Sequence, residues 1–108
     1  MSVERRGAPR YALHGRLHGQ IISIETPVVV REMSLTGLSF ECAMPFPVGA
    51  VHEFHLRLGD DSQVQLRGRI IRTYEEAQRD GTRLYITGVQ FVDDEAADDA
   101  GGIIEKLT

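Results

Sequence analysis

From residue 38 onward, apolar side chains return at every second position, and that two-residue period is what most limits the fold. Leu38, Phe40 and Cys42 alternate with Ser39 and Glu41. Phe54, Leu56 and Leu58 alternate with Glu53, His55 and Arg57. Val64, Leu66, Gly68 and Ile70 alternate with Gln65, Arg67, Arg69 and Ile71. A period of two sends successive side chains to opposite faces of a strand, so each segment is apolar on one side and polar on the other. Turn formers separate the segments: Pro45-Phe46-Pro47-Val48-Gly49, then Gly59-Asp60-Asp61-Ser62, then a polar stretch from 75 to 82 that contains Gly81. Residues 84 to 92 read as the last long strand.

The first part of the chain is less regular. Residues 11 to 24 read as a strand with Ala12, His14, Arg16 and His18 on one face and Leu13 and Leu17 on the other. Gly15 and Gly19 suggest a bend or bulge there. Glu25-Thr26-Pro27 reads as a turn, and Val28-Val29-Val30 resumes as a strand leading into Arg31 and Glu32. About six short strands divided by turns predict a mainly β domain, a six-stranded antiparallel barrel.

A C-terminal helix is expected from about residue 94. Asp93, Asp94 and Glu95 bring capping groups and negative charge to its start. Ala96, Ala100, Ile103, Ile104 and Leu107 then form one apolar stripe. Gly101-Gly102 weakens the helix by about 1 kcal/mol per glycine relative to alanine. The helix is therefore expected to hold by docking on the sheet, or to break at that pair. The division expected is an Arg-rich, flexible, ligand-binding arm over residues 1–10 and one barrel domain with its helix over residues 11–108.

The arm reads Glu4-Arg5-Arg6-Gly7-Ala8-Pro9-Arg10. Pro9 has no amide hydrogen and pushes Ala8 toward extended geometry, so the segment is not helical. Arg6 and Arg10 on extended chain stand about 13 Å apart. A guanidinium is a planar fork, always charged, that matches phosphate oxygens and the O6/N7 edge of guanine. By itself the segment reads first as a solvated basic N-terminus.

A second stretch, Glu32-Met33-Ser34-Leu35-Thr36-Gly37, changes that balance. Together the two resemble the PilZ domain signature: Arg-x-x-x-Arg, then Asp/Asn-x-Ser-x-x-Gly about 20 to 30 residues later. Arg6 and Arg10 match the first half; Ser34 and Gly37 match the second. Glu32 departs from the pattern, standing where the family has Asp or Asn. Gly88-Val89-Gln90-Phe91 is similar to a late strand of the family. PilZ domains are bacterial receptors for cyclic di-GMP. The resemblance therefore implies that Arg5, Arg6, Arg10, Glu32, Ser34 and Gly37 bind this dianionic nucleotide. The arginines would hold phosphate or guanine, a carboxylate near Glu32 would accept from the base's Watson–Crick edge, Ser34 would offer a small donor and acceptor, and Gly37 would keep the turn close. Gly37 also permits a positive φ in that turn. Arg5, just before the first motif, is the position that in the family goes with a stacked pair of ligands. Glu32 carries one methylene more than Asp, which implies weaker binding.

Other chemistry has little support. His14 and His18 share a strand face but stand about 13 Å apart, too far to hold one metal. His52 and His55 fall on opposite faces, and there is no Cys-x-x-Cys. No nucleotide-binding glycine loop, nucleophile elbow or acid–base relay is apparent, so no catalytic residue and no cofactor is expected. The formal net charge of −4 argues against nucleic acid and anionic membrane. Cys42 is the only cysteine, which excludes an internal disulfide and fits a reducing, cytoplasmic setting. No apolar run reaches the length of a membrane span.

Two function classes follow. One is a cyclic di-GMP receptor or adaptor that relays ligand level to a separate protein effector. The alternative is a degenerate PilZ-like interaction module that does not bind the nucleotide. A single-stranded nucleic acid binder ranks last, because aromatic residues make up only 6% of the chain and offer little stacking surface.

Overall fold

The computed structural model describes residues 9–21, 26–57 and 63–107, with residues 14–16 described by their backbone alone. Six strands are followed by one helix: β1 (Tyr11–Ile21), β2 (Thr26–Met33), β3 (Gly37–Cys42), β4 (Val51–Arg57), β5 (Gln63–Ala77), β6 (Arg83–Phe91) and α1 (Ala96–Leu107). All neighbouring strands are antiparallel, and they close into a barrel in the order β1-β2-β3-β6-β5-β4. The barrel expected from the alternation is the barrel found.

The core is what the period-two faces predict. Leu38, Phe40 and Cys42 of β3, Phe54 and Leu56 of β4, and Leu66 and Ile70 of β5 are buried. Phe40 makes edge-on contacts with Phe46 and Phe54, with ring centroids 5.5 Å apart in both pairs. Phe46 belongs to the loop after β3, so that loop contributes to the core as well as linking two strands. His52 faces inward beside the Phe46 ring, while His55 faces outward and hydrogen-bonds Gln63.

One early expectation changes, and another is settled between its two outcomes. Thr26 and Pro27 are not a turn but the start of β2, paired with Ile21 and Gln20. Proline is tolerated there because this end of β2 runs past β3, whose pairing begins only at Val29. The helix is continuous through Gly101-Gly102. Its buried stripe of Ala96, Ala100, Ile103 and Ile104 is docked on the barrel, and that packing offsets the low helix propensity of the two glycines.

Three register irregularities bend the wall. One lies between Ala12 and Leu17 in β1, in the segment that holds Gly15. Another lies between Val30 and Glu32 in β2, and a third between Ile70 and Arg72 in β5. An extra residue in one strand resets which side chains face out. In β2, Val28 and Val30 point inward, Arg31 and Glu32 both point outward, and Met33 returns to the core. In β5, Ile70 is buried, Ile71 and Arg72 are both exposed, and Thr73 turns back to bond the buried Thr87.

Candidate functional site

The turn joining β2 to β3 is short and tied to itself. The Ser34 amide donates to Gly37 O at 2.9 Å, and the Thr36 amide donates to Ser34 Oγ at 3.2 Å. Ser34 Oγ also lies 3.2 Å from Thr36 Oγ1 and 3.4 Å from Gly37 O. Such a hydroxyl, bonded to backbone two and three residues on, fixes the turn. Ser34 is therefore chiefly a positioning group in this structure, with only 7% of its surface exposed. The Phe91 amide donates to Thr36 O at 2.9 Å, which fastens the turn to the end of β6. On its other side, Leu35 reaches the helix: its Cδ2 lies 3.5 Å from where a Cβ on Gly101 would stand.

Gly37 is needed for a different reason than expected. Among the described residues the glycines with positive φ are Gly49 and Gly81, in loops outside this turn. Gly37 opens β3 with ordinary strand geometry, and a Cβ there would stand 2.1 Å from Val89 O. The absent side chain lets β3 and β6 approach at the base of the site.

Beside this turn lies an open cleft of about 260 Å³ lined by Arg10, Glu32, Ser34, Gly37, Arg72 and Gln90 among others. Four of the six residues expected to form a site thus meet in one place. The other two, Arg5 and Arg6, lie outside the described residues. Arg10 stands just before β1, and its Nη1 lies 3.9 Å from Glu32 Oε1. Both side chains are open to water, 63% and 46% exposed, so the pair contributes only about 0–1 kcal/mol. It orients the two groups over the cleft without locking them.

Arg72 was not foreseen. Continued alternation from Val64 would place it on the core face with Ile70; the β5 bulge carries it outside. There it completes a row across four strands: Glu32 pairs with Ser39, Ser39 with Gly88, and Gly88 with Arg72. Arg72 lies across Gly88, with Cγ and Nε each 3.1 Å from where a Cβ would stand. A second groove of about 430 Å³ adjoins the first and shares Glu32, Ser39 and Arg72 with it. Its far wall holds Arg31, paired with Glu41 at 3.8 Å and with Glu76 at 3.5 Å. Among the described residues no His/Cys/Asp/Glu group is arranged to hold a metal ion, and no helix is long and apolar enough to cross a membrane.

The arrangement is suited to binding a polar, flat, anionic molecule: cations at two edges, a carboxylate acceptor, small residues on the floor and solvent on the open side. Comparison with known proteins agrees with the sequence motifs. The PilZ domain model matches residues 4–107. Among solved structures, the chain is similar to the "PilZ domain with c-di-GMP of YcgR from Escherichia coli", with a TM-score of 0.75 at 13% identity, covering 95% of this chain and 91% of that one. It is also similar to the K. pneumonia MrkH–c-di-GMP complex, with a TM-score of 0.77 at 15% identity, covering 97% of this chain and 53% of that one. MrkH in its apo state gives a TM-score of 0.75 at 12% identity over 92% of this chain and 49% of that one. The chain thus spans about half the length of MrkH. No curated protein sequence gives a significant match. A six-stranded barrel with a C-terminal helix, both halves of the motif and a family match over almost the whole length agree: the chain belongs to the PilZ domain family.

Proposed function

We propose that this chain is a receptor for cyclic di-GMP that passes ligand occupancy to a separate protein, acts in the cytoplasm and carries out no catalysis. One observation supports this most: Arg10, Glu32, Ser34 and Gly37, far apart in sequence, line a single cleft in a chain of the PilZ family. YcgR and MrkH, similar in fold, are described with this same ligand. In this reading Arg10 and, from the N-terminal arm, Arg6 bind phosphate or guanine. Glu32 accepts from the base. Residues 1–10 close over the occupied cleft, and the covered surface is what the partner reads. Arg5 adds a third cation, enough for a second dianion, so two nucleotides stack per chain.

The deciding experiment is calorimetry with cyclic di-GMP, together with a single-stranded oligonucleotide as control. Saturable binding of the dinucleotide alone, with an endpoint of two per chain, is expected. An endpoint of one removes the stacked pair. Amide exchange over residues 1–10 should slow on saturation; unchanged exchange removes the closing arm.

A second reading, a module that has lost the ligand and works by protein contact, is favoured by Glu32 in place of Asp or Asn and by its ion pair with Arg10. No heat and no saturation at millimolar nucleotide would select it.

A further inference from the structure

The cross-strand row beside the cleft says more about what the site selects, given the reading of the site as a receptor for a guanine dinucleotide. Glu32, Ser39, Gly88 and Arg72 sit side by side on β2, β3, β6 and β5. Neighbouring strands are about 4.8 Å apart, so Glu32 and Arg72 rise from backbones about 14 Å apart. Between them the side chains are a hydroxymethyl and a hydrogen. A carboxylate therefore stands at one end, and the Arg72 side chain, lying over Gly88, brings its guanidinium in from the other, with Ser39 as the low floor between them. Both ends owe their outward direction to a bulge, one at Arg31 and one at Ile71.

The guanidinium end is available. Among the described residues no carboxylate lies within ion-pair distance of Arg72, whereas Arg10, Arg67 and Arg83 each have one and Arg31 has two. The Arg72 stem does not stand away from the sheet but runs low over Gly88, close enough that a Cβ there would displace it. Gly88 thereby lets Arg72 lie along the row.

We propose that this row is a seat for one guanine base, with Arg72 as a specificity-determining contact. A carboxylate only accepts hydrogen bonds, and a guanidinium only donates them. Guanine offers two donors, N1–H and the 2-amino group, on one edge, and two acceptors, O6 and N7, on another. Glu32 takes the donor edge and Arg72 the acceptor edge. Adenine reverses part of this pattern: a 6-amino donor replaces O6, and N1 is an acceptor. Each jaw would then meet a group of its own kind, so the row rejects adenine from both ends. Ser39 leaves the ring room to lie against the sheet, with its acceptor edge toward the Arg72 guanidinium that lies over Gly88.

The test compares the unaltered protein, Arg72→Ala, Arg72→Lys and Arg72→Met by titration with cyclic di-GMP and with cyclic di-AMP at one salt concentration. Arg72→Met keeps a stem over Gly88 and guards against a loss caused by misfolding, which circular dichroism also monitors. The unaltered protein should prefer cyclic di-GMP. Arg72→Ala and Arg72→Met should each lose roughly tenfold or more for cyclic di-GMP with little loss for cyclic di-AMP. Arg72→Lys, which keeps the charge without the planar fork, should fall between. Equal losses for both nucleotides would make Arg72 a phosphate contact and overturn the seat. Unchanged affinities would overturn it too. An unaltered protein that binds neither nucleotide overturns the receptor function itself, a result distinct from both.

Discussion

Arg10 and Glu32 approach to 3.9 Å across the mouth of the cleft, so the two groups proposed to hold the ligand are each other's partner. The pair is mostly open to water, and a dianion that offers Arg10 a better partner has little to displace. The contact also keeps Arg10 close to the proposed site.

Arg10→Ala should separate binding from stability. A charged hydrogen bond contributes roughly 1.5–3 kcal/mol, so cyclic di-GMP affinity should fall at least about tenfold. The melting temperature should hardly move, because only an exposed pair is lost. Titration and a thermal melt of one sample test both halves. Unchanged affinity in the folded variant would remove Arg10 from the site.

Glu32→Asp should tighten cyclic di-GMP binding by up to about tenfold. Fixing a Glu side chain costs up to roughly 1.5–2 kcal/mol of rotamer entropy, and the shorter acid has less to lose. Shortening also draws the carboxylate away from Arg10, which frees that cation. Ser34→Ala should loosen binding through the turn it fixes. Dissociation constants at one fixed salt concentration decide it. Weaker binding by Glu32→Asp would show that Glu32 is a fitted contact.

Two glycine substitutions should act in opposite directions. Gly37→Ala drives a methyl to 2.1 Å from Val89 O, a backbone atom held by its sheet, and should cost about 3 kcal/mol or more. Gly102→Ala meets nothing within 4 Å and removes a poor helix former, so it should stabilise by about 0.5–1 kcal/mol. For a domain of this size 1 kcal/mol shifts the melting point by about 4 to 8 °C, which thermal denaturation resolves.

Cys42 should be a slow thiol. Burial raises its ionisation above the ordinary 9.0 and outweighs a smaller, opposing contribution from the Met44 backbone. Alkylation by iodoacetamide at neutral pH should therefore be much slower in the native protein than in urea. The sign also sets an alkaline weakness. The folded value is raised, so this stabilising contribution is complete below the unfolded value and is lost as pH rises through the folded one. Native alkylation as fast as in urea would contradict the burial.

The sequence made some of this plain and hid the rest for physical reasons. The barrel was legible because β3, β4 and the first part of β5 alternate over a buried face, as at Leu38, Phe40 and Cys42. The cleft was legible because Arg10, Ser34 and Gly37 sit in a spaced pattern. Arg72 was not, because a bulge changes the phase of a strand without changing its composition, and Arg72 counts inward until the extra residue is known. The role of Gly37 was misread for a similar reason: a glycine kept for a positive φ and one kept for strand contact look alike in one dimension. Glu32 pairing with Arg10 depends on a fold that brings β1 beside β2, which neither segment announces alone.

The row from Glu32 to Arg72 is not uniform in how firmly it is held. Ser39 and Gly88 lie on β3 and β6, in positions hydrogen-bonded to a neighbour on either side. Arg72 lies past the end of β4, whose pairing with β5 stops at Arg69, so its strand has a partner on one side only. Local opening is therefore easier at the Arg72 end than at Glu32, which pairs with both Ala12 and Ser39. In the proposed seat Glu32, Ser39 and Gly88 are then the fixed side, and fitting to a ligand falls to Arg72. On that reading, sequence drift at Arg72 would retune what is bound without disturbing the fold, whereas drift at Ser39 or Gly88 would move the fixed side itself.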